Sequence, residues 1–170
     1  MKTLHFHWIT TATALLATLG ATLATLLPGA ASAEPASRHD KSLVERGRYL
    51  VRIAGCNDCH TPGYLQAGGQ VDEKQWLTGD SFGWRGPWGT TYATNLRLYA
   101  AGMTQEQWLK HTATMRPRPP MPWFNVQAMS ETDRKAIFQY LKAAAPAGKP
   151  APAWVPPGKE PPPPYALFPG

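Results

Sequence analysis

The sequence has little cysteine and little histidine, and this scarcity limits the sites it can build. Of 170 residues only two are cysteines, and His39, His60 and His111 are the only histidines after residue 33. A zinc site built on a Cys-x-x-Cys pair needs two further ligands, which this set does not readily supply. A redox disulfide of the thioredoxin type would follow a strand in a βαβ pattern, and no such pattern surrounds the pair. Zinc binding and thiol redox chemistry are therefore disfavoured.

The two cysteines stand in Cys56-Asn57-Asp58-Cys59-His60, a C-x-x-C-H unit. Two thiols at this spacing reach the two vinyl groups along one porphyrin edge and form thioethers, and the adjacent histidine meets the iron from the same segment. In an exported protein the unit indicates covalent attachment of one haem c. We therefore predict thioethers at Cys56 and Cys59, with His60 as an iron ligand.

The first 33 residues have the pattern of a secretory signal. Lys2 gives a basic start, an apolar stretch runs from about Trp8 to Leu27, and Ala31-Ser32-Ala33 is the small-residue pattern that signal peptidases cut. We predict cleavage after Ala33, which places the mature protein in the periplasm. The alternative is an uncleaved membrane anchor, since the apolar stretch is nearly long enough to span a bilayer.

The sequence after the signal divides at Pro146. Ten of the 18 prolines fall between Pro146 and Pro169, whereas the periodic apolar pattern lies before them. Proline removes a backbone donor and fixes φ, so residues 146–170 should form an extended tail that is either a spacer or laid over the surface. Residues 34–145 have the length of one domain with its own core.

The segment before the C-x-x-C-H unit is predicted to be helical. Apolar residues recur at helical spacing from Leu43 to Ala54, and charged residues lie away from them. Asp40 or Ser42 is a suitable cap for the start. Gly55 should end the helix where the chain turns toward the porphyrin.

Two more helices are predicted toward the carboxy terminus. Thr104-Gln105-Glu106-Gln107 is a capping-box start for a short helix that ends before Arg116-Pro117. A longer helix should begin after Ser130 and stop at Pro146. Its apolar stripe is expected to pack on the first helix around Gly47, where the missing side chain allows a close approach.

The sixth iron position has few candidates. Met121 lies in Arg118-Pro119-Pro120-Met121-Pro122-Trp123, where prolines stiffen the backbone and reduce the entropy lost in fixing a ligand. We predict that Met121 is the ligand. The alternatives are core or helix-face residues by position, namely Met103, Met115, Met129 and His111. A histidine and a methionine together fill both axial positions and raise the reduction potential, which favours electron transfer without bond-making.

Aromatic residues are frequent in the middle of the chain. Their N–H and O–H groups, with two arginines, are candidate partners for the haem propionates, since buried carboxylates need donors. Filling the core and covering the haem edge is an equally good interpretation of each. The set is Trp76, Trp84, Trp88, Tyr92 and Tyr99, with Arg85 and Arg97.

From Lys41 to Ala145 the sequence resembles class I cytochromes c. This resemblance implies an all-α cytochrome c-like fold, in which amino- and carboxy-terminal helices pack together, with a short helix between and long loops around one haem. In many relatives His60's counterpart donates to a proline about a dozen residues downstream, but no proline lies between Pro62 and Pro87 here. Asn95 matches a family-like Thr-Asn pair and is expected to hydrogen-bond near the haem.

Two motifs resemble the cytochrome subunits and domains of bacterial alcohol, sugar or aldehyde dehydrogenases. They are Gly86-Pro87-Trp88-Gly89-Thr90-Thr91-Tyr92-Ala93-Thr94-Asn95 and Met121-Pro122-Trp123. The likeness implies an electron carrier, not an enzyme, that serves a periplasmic dehydrogenase as its electron acceptor or as a non-catalytic subunit and passes electrons to the respiratory chain. Expected partners are redox proteins: a dehydrogenase, a terminal oxidase or another cytochrome.

The formal charge is +6, and Lys2 leaves with the signal, so the mature chain carries +5. Two ionised propionates lower this to about +3, enough to steer encounters with an acidic protein surface. Nucleic acid is not an expected partner of an exported protein with dispersed basic residues. The alternative functions are a peroxidase-like haem enzyme and a redox or gas sensor, either of which requires an open or displaceable sixth position.

Overall fold

The computed structural model describes residues 34–168, with side chains from residue 40 onward, so the predicted signal segment lies outside the described residues. No helix among these residues is long and apolar enough to cross a membrane. The described part contains six helices, one 3-10 turn and three short strands. They are α1 (Glu34–Ile53), α2 (Cys56–His60), the 3-10 turn Glu73–Gln75, β1 (Gly83–Gly86), β2 (Gly89–Tyr92), α3 (Leu96–Ala101), α4 (Gln105–Thr114), α5 (Trp123–Ala128), α6 (Glu131–Ala144) and β3 (Tyr165–Leu167).

Helix α1 starts earlier than its sequence suggests. It begins at Glu34, ahead of the predicted caps Asp40 and Ser42, so the prediction of that cap was wrong. The end is as predicted: Gly55 has φ 70°, a left-handed conformation that glycine adopts without strain, and the chain turns there into α2.

Helices α1 and α6 cross at closest approach through Gly47. A Cβ on Gly47 would lie 2.7 Å from the Cβ of Tyr140 and would overlap the backbone carbonyl of Ala136. Val51 and Leu141, fully buried, belong to the same core cluster. The predicted packing of the last helix on the first is confirmed.

A polar network joins the 3-10 turn to both long helices. The Arg48 Nε donates to the two carboxylate oxygens of Glu73 at 2.9 and 2.8 Å, and the Tyr140 hydroxyl donates to Glu73 at 3.0 Å. The Arg48 hydrogen bond holds the pKa of Glu73 below its usual value, while burial raises that of the Tyr140 hydroxyl. The network therefore fixes the turn beside the crossing of α1 and α6.

The predicted caps of α4 and α6 are confirmed. Thr104 and Gln107 form a reciprocal capping box at 3.2 and 2.9 Å, and Ser130 accepts from the Asp133 N–H at 3.1 Å. Two short helices, α3 and α5, stand in segments where no helix was predicted.

A small sheet departs from the expected all-α fold. Strands β1 and β2 form an antiparallel hairpin closed by Gly86-Pro87-Trp88-Gly89, and β3 pairs parallel to β1, giving the order β2-β1-β3. Gly89 has φ 92°, which the tight turn requires. The fold is helix-rich, with this sheet as an addition that helical periodicity does not reveal.

The tail, residues 146–168, lies on the domain along its length. The Asn95 Nδ2 donates to the carbonyls of Ala147 and Lys149 at 2.7 and 3.1 Å, and Thr90 and Val155 exchange two backbone hydrogen bonds. Beyond them β3 completes the sheet, and its neighbour Phe168 packs against two tryptophans of the hairpin, Trp84 and Trp88. Of the two interpretations left open, a spacer or a segment laid over the surface, the structure has the second.

Candidate haem site

Helix α2 presents both cysteines and the histidine of the C-x-x-C-H unit. Cys56 and Cys59 are both partly buried and are not joined in a disulfide, and their i, i+3 spacing places them on one side of this short helix. Burial raises the pKa of the Cys56 thiol to about 11. The left-handed turn at Gly55 separates α2 from α1, and all three side chains lie on this five-residue helix.

His60 is buried and held in one tautomer. Its Nδ1 lies 2.7 Å from the carbonyl oxygen of Thr94, and because a carbonyl only accepts, Nδ1 carries the hydrogen and donates. Burial lowers the pKa of His60, and the hydrogen bond to Thr94 opposes this shift in part. The imidazole is thus neutral at Nε2, the form in which histidine binds iron.

The partner of His60 was not found from the sequence. It is Thr94, which lies 34 residues downstream and accepts through its backbone, so no residue type marks it. Hydrogen bonds from Gly79 N to His60 O at 2.8 Å and from Asp80 N to Ala93 O at 3.0 Å place the carbonyl there. A Cβ on Gly79 would lie 2.7 Å from the Asn95 nitrogen, so only glycine allows this approach.

Thr61, immediately after the unit, is a second residue that sequence reasoning missed. Its buried hydroxyl donates to Asn57 Oδ1 at 2.8 Å and accepts from the Leu77 N–H at 2.8 Å. Leu77 in turn accepts from the Leu96 N–H at 3.0 Å. The end of α2 is therefore tied to the start of α3 through the Thr61 hydroxyl and the backbone of Leu77.

The proline-rich residues 117–122, called the Met121 segment below, are connected to the same hairpin that leads to Thr94. The Thr91 hydroxyl in β2 donates to the Pro119 carbonyl at 2.7 Å, and Met121 is partly buried. The Trp123 N–H donates to the Met121 carbonyl at 2.9 Å as α5 begins. Strand β2 and the residues just after it thus contact both the predicted iron-binding histidine and the segment of the predicted methionine.

The other candidates for the sixth position have different surroundings. Met103 and Met129 pack against the hydrophobic core. Met115 follows α4, and its carbonyl accepts from Gln127. The His111 Nε2 lies 3.0 Å from the Tyr99 hydroxyl.

Arg97 has a structural role in place of the expected propionate contact. Its guanidinium donates to three backbone carbonyls: Lys74 at 2.7 Å, Ala145 at 2.6 Å and, at the end of α6, Ala144. Buried arginine paired in this way satisfies the carbonyls that a helix end leaves open. It joins the end of α6 to the 3-10 turn.

Arg85 and Asn95 likewise have partners in the tail. Arg85 pairs with Glu160 and lies over the ring of Tyr165. Asn95 caps α3, accepting from the Leu98 N–H at 3.0 Å, and its amide donates to the tail carbonyls described above. Asn95, next to the Thr94 that accepts from His60, thus holds the chain after α6 through its side chain.

The aromatic residues in the middle of the chain have different surroundings. Trp76 is in the core and donates to the Val71 carbonyl, while Trp84 lies with Cys59 in the lining of one crevice. Between residues 88 and 92, three buried polar atoms have no hydrogen-bond partner among the described residues. They are Trp88 Nε1, Thr90 Oγ1 and Tyr92 OH.

The requirements of a haem can be compared with the residues present at this site. The family's cofactor needs two thiols, an imidazole with a free nitrogen and donors for its carboxylates. Cys56 and Cys59 provide the first, His60 the second, and the donors between Trp88 and Tyr92 are available for the third. The residues present fit the group.

Comparison with known proteins gives one family. The Cytochrome c family model matches residues 44–145, which is more than half of the chain. Neither the curated proteins nor the solved structures gave a significant match. Membership in this family implies a covalently bound haem c and haem-based electron transfer. The C-x-x-C-H helix, its histidine bound to Thr94 and the matched range agree, and the chain belongs to the cytochrome c family.

Proposed function

We propose that the protein is a periplasmic one-electron carrier whose single haem c is attached through Cys56 and Cys59, with iron bound by His60 and Met121. The observation that carries the proposal is the His60 Nδ1 hydrogen bond to Thr94 O at 2.7 Å, which leaves Nε2 as the iron-binding nitrogen. A haem c bound there supplies the reversible Fe(III)/Fe(II) couple.

Met121 is favoured as the sixth ligand because the competing side chains have other contacts. Met103 and Met129 pack against the hydrophobic core, and His111 is hydrogen-bonded to Tyr99. Met121 is instead held in a proline-rich segment tied to β2, the strand that leads to the partner of His60. A thioether is a soft ligand that favours Fe(II), so it raises the potential and leaves no position for a substrate.

The donors of the hairpin would meet the propionates. Trp88 Nε1, Thr90 Oγ1 and Tyr92 OH are buried and have no hydrogen-bond partner within residues 34–168. A carboxylate in a protein interior requires such donors, and each hydrogen bond favours its ionised form. Trp88 and Tyr92 belong to the set of propionate partners expected from the sequence, whereas Thr90 does not. The guanidinium groups of Arg85 and Arg97, which belong to the same set, have other partners.

The compartment and partners follow from the sequence features. The signal-like residues 1–33 lead to the periplasm, where C-x-x-C-H cytochromes function, and the net positive charge favours an acidic protein surface. The two motifs that resemble those of dehydrogenase cytochromes lie in the hairpin and in the Met121 segment. An alcohol, sugar or aldehyde dehydrogenase is the proposed donor, and a respiratory cytochrome or oxidase the proposed acceptor.

The optical absorption spectra of the wild-type protein and of two variants test the ligand assignment. The oxidised protein should show the weak red-end band of a methionine–iron bond, and Met121→Ala should abolish it. Met115→Leu is the matched control, because Met115 is also partly buried and lies outside the core cluster. Persistence of the band in Met121→Ala would reject the assignment, and its loss in Met115→Leu would point to Met115 as the ligand.

A reduction assay tests the proposed function. The oxidised protein is mixed anaerobically with a periplasmic fraction, and alcohols, aldehydes and sugars are added one at a time. We expect rapid reduction of the haem with at least one substrate class. A protein that turns over hydrogen peroxide rapidly, or whose ferric iron is high-spin, would instead be a haem enzyme or a sensor.

A further inference from the structure

The tail contacts the segment that carries the proposed sixth ligand. The guanidinium of Arg118, three residues before Met121, stacks over the ring of Trp154 at 4.1 Å from its centroid. At the edge of the same ring, the Trp154 Nε1 donates to the Trp88 carbonyl at 3.0 Å. Trp154 thus stands between the Met121 segment and the turn of the hairpin.

Trp154 is itself held in place by the pairing of its neighbour. Thr90 N donates to Val155 O at 2.8 Å, and Val155 N donates to Thr90 O at 3.0 Å. A Cβ on Gly89 would lie 2.9 Å from Trp154 Nε1, so the glycine of the turn also makes room for the indole. The hairpin is shaped to receive the tail at this point.

The tail is fixed on both sides of Trp154. Before it, Asn95 holds the carbonyls of Ala147 and Lys149. After it, Gly83 N donates to Pro164 O at 3.0 Å and β3 pairs with β1. Because the tail is anchored on both sides of Trp154, the indole is held in a fixed position. It can therefore support the Arg118 guanidinium that stacks on it.

The Met121 segment has few backbone groups with which to hold itself. Prolines occupy positions 117, 119, 120 and 122, which leaves N–H groups only on Arg118 and Met121 among residues 117–122. The hydrogen bond from Thr91 to Pro119 ties it to β2, and the Arg118–Trp154 stack ties it to the tail. Side-chain contacts therefore have an unusually large share in positioning this segment.

We propose that Trp154 is a positioning residue for the sixth iron ligand, acting through Arg118 to keep the Met121 segment closed over the haem. The inference rests on the proposed ligation by Met121. Its consequence is that the tail, outside the range matched by the family model, sets how readily an external ligand displaces the methionine.

Imidazole binding to the ferric haem protein tests this, because imidazole replaces a methionine that leaves the iron. Arg118→Ala removes an exposed cation–π contact and should raise the apparent imidazole affinity about threefold to fivefold. Trp154→Ala removes the stack and a hydrogen bond, so about tenfold or more is expected. Arg118→Lys keeps a cation over the ring and should stay near wild type.

Leu167→Ala is the matched control within the tail, since this side chain is 72% exposed. It should leave imidazole affinity unchanged. Wild-type affinity in both Arg118→Ala and Trp154→Ala would overturn the inference, provided that Met121→Ala has lost the red-end band. If Met121→Ala keeps the band, it is the proposed ligation by Met121 that is wrong. The spectra thus distinguish a failure of the ligand assignment from a failure of the role proposed for Trp154. Should Trp154→Ala fold poorly, the exposed Arg118 variants decide the result.

Discussion

The crossing of α1 and α6 makes Gly47→Ala a sharp test of how the domain is packed. The added Cβ would lie 2.7 Å from the Tyr140 Cβ, against about 3.5–4.0 Å for a normal carbon contact, and would also overlap the Ala136 carbonyl. Neither group is the end of a flexible side chain, so the helices themselves must separate.

The magnitude follows from two opposing effects. Overpacking a tight contact costs about 1–3 kcal/mol, with rigid neighbours toward the upper end, while alanine is about 1 kcal/mol better than glycine in a helix. We expect a net loss of about 2 kcal/mol. For a slope of about 4 kcal/mol/M in guanidinium chloride, the unfolding midpoint falls by about 0.5 M.

The assay is equilibrium unfolding of the haem-loaded protein, followed by circular dichroism and by Soret absorption. Gly102→Ala is the matched control, because a Cβ there would meet only the Tyr99 carbonyl, at 3.8 Å, and φ is −80°. That variant should be neutral or slightly stabilised. A Gly47→Ala protein as stable as wild type would refute the close crossing.

Three further predictions concern single polar groups. Glu73→Gln should cost up to about 1 kcal/mol at neutral pH, since the Arg48 pair is partly exposed. Because the pKa of Glu73 is lowered in the fold, the difference from wild type in unfolding curves should begin to shrink below the unfolded-state pKa of about 4.3 and vanish once the pH has passed below the lowered pKa of the folded state. Tyr92→Phe should shift the pH dependence of the reduction potential to higher pH, because a propionate that loses a donor gains a higher pKa; an unchanged potential at every pH would contradict this. Thr91→Val removes the hydrogen bond to Pro119 and should raise imidazole affinity about fivefold, an expectation that equal titration curves would exclude.

Local rules predicted the elements whose signals are local. The capping box at Thr104, the Ser130 cap and the glycine that ends α1 each depend on residues within one turn of the chain, and the structure has them. The pairing of α6 on α1 also followed from a stripe of apolar residues and one glycine. The early start of α1 was missed because its first residues carry no apolar period.

The features that sequence could not give arise from backbone groups far apart in the chain. Thr94 meets His60 through a carbonyl, and the third strand comes from a tail whose prolines suggested only an extended form. Asn95 and Arg97 were linked to the haem because of their type and position. In the structure both donate to backbone carbonyls at the end of α6 or beyond it, contacts that depend on where that part of the chain lies and are not visible in the spacing of residues.

The central claim is that a porphyrin is joined covalently to the pair of cysteines in α2, and treatment of the purified protein with acidified acetone tests it most directly. We predict that the Soret-absorbing pigment stays with the precipitated polypeptide, and that replacing Cys56 and Cys59 together with alanine releases it. Pigment extracted from the unaltered protein, or purified protein without Soret absorption, would contradict the account.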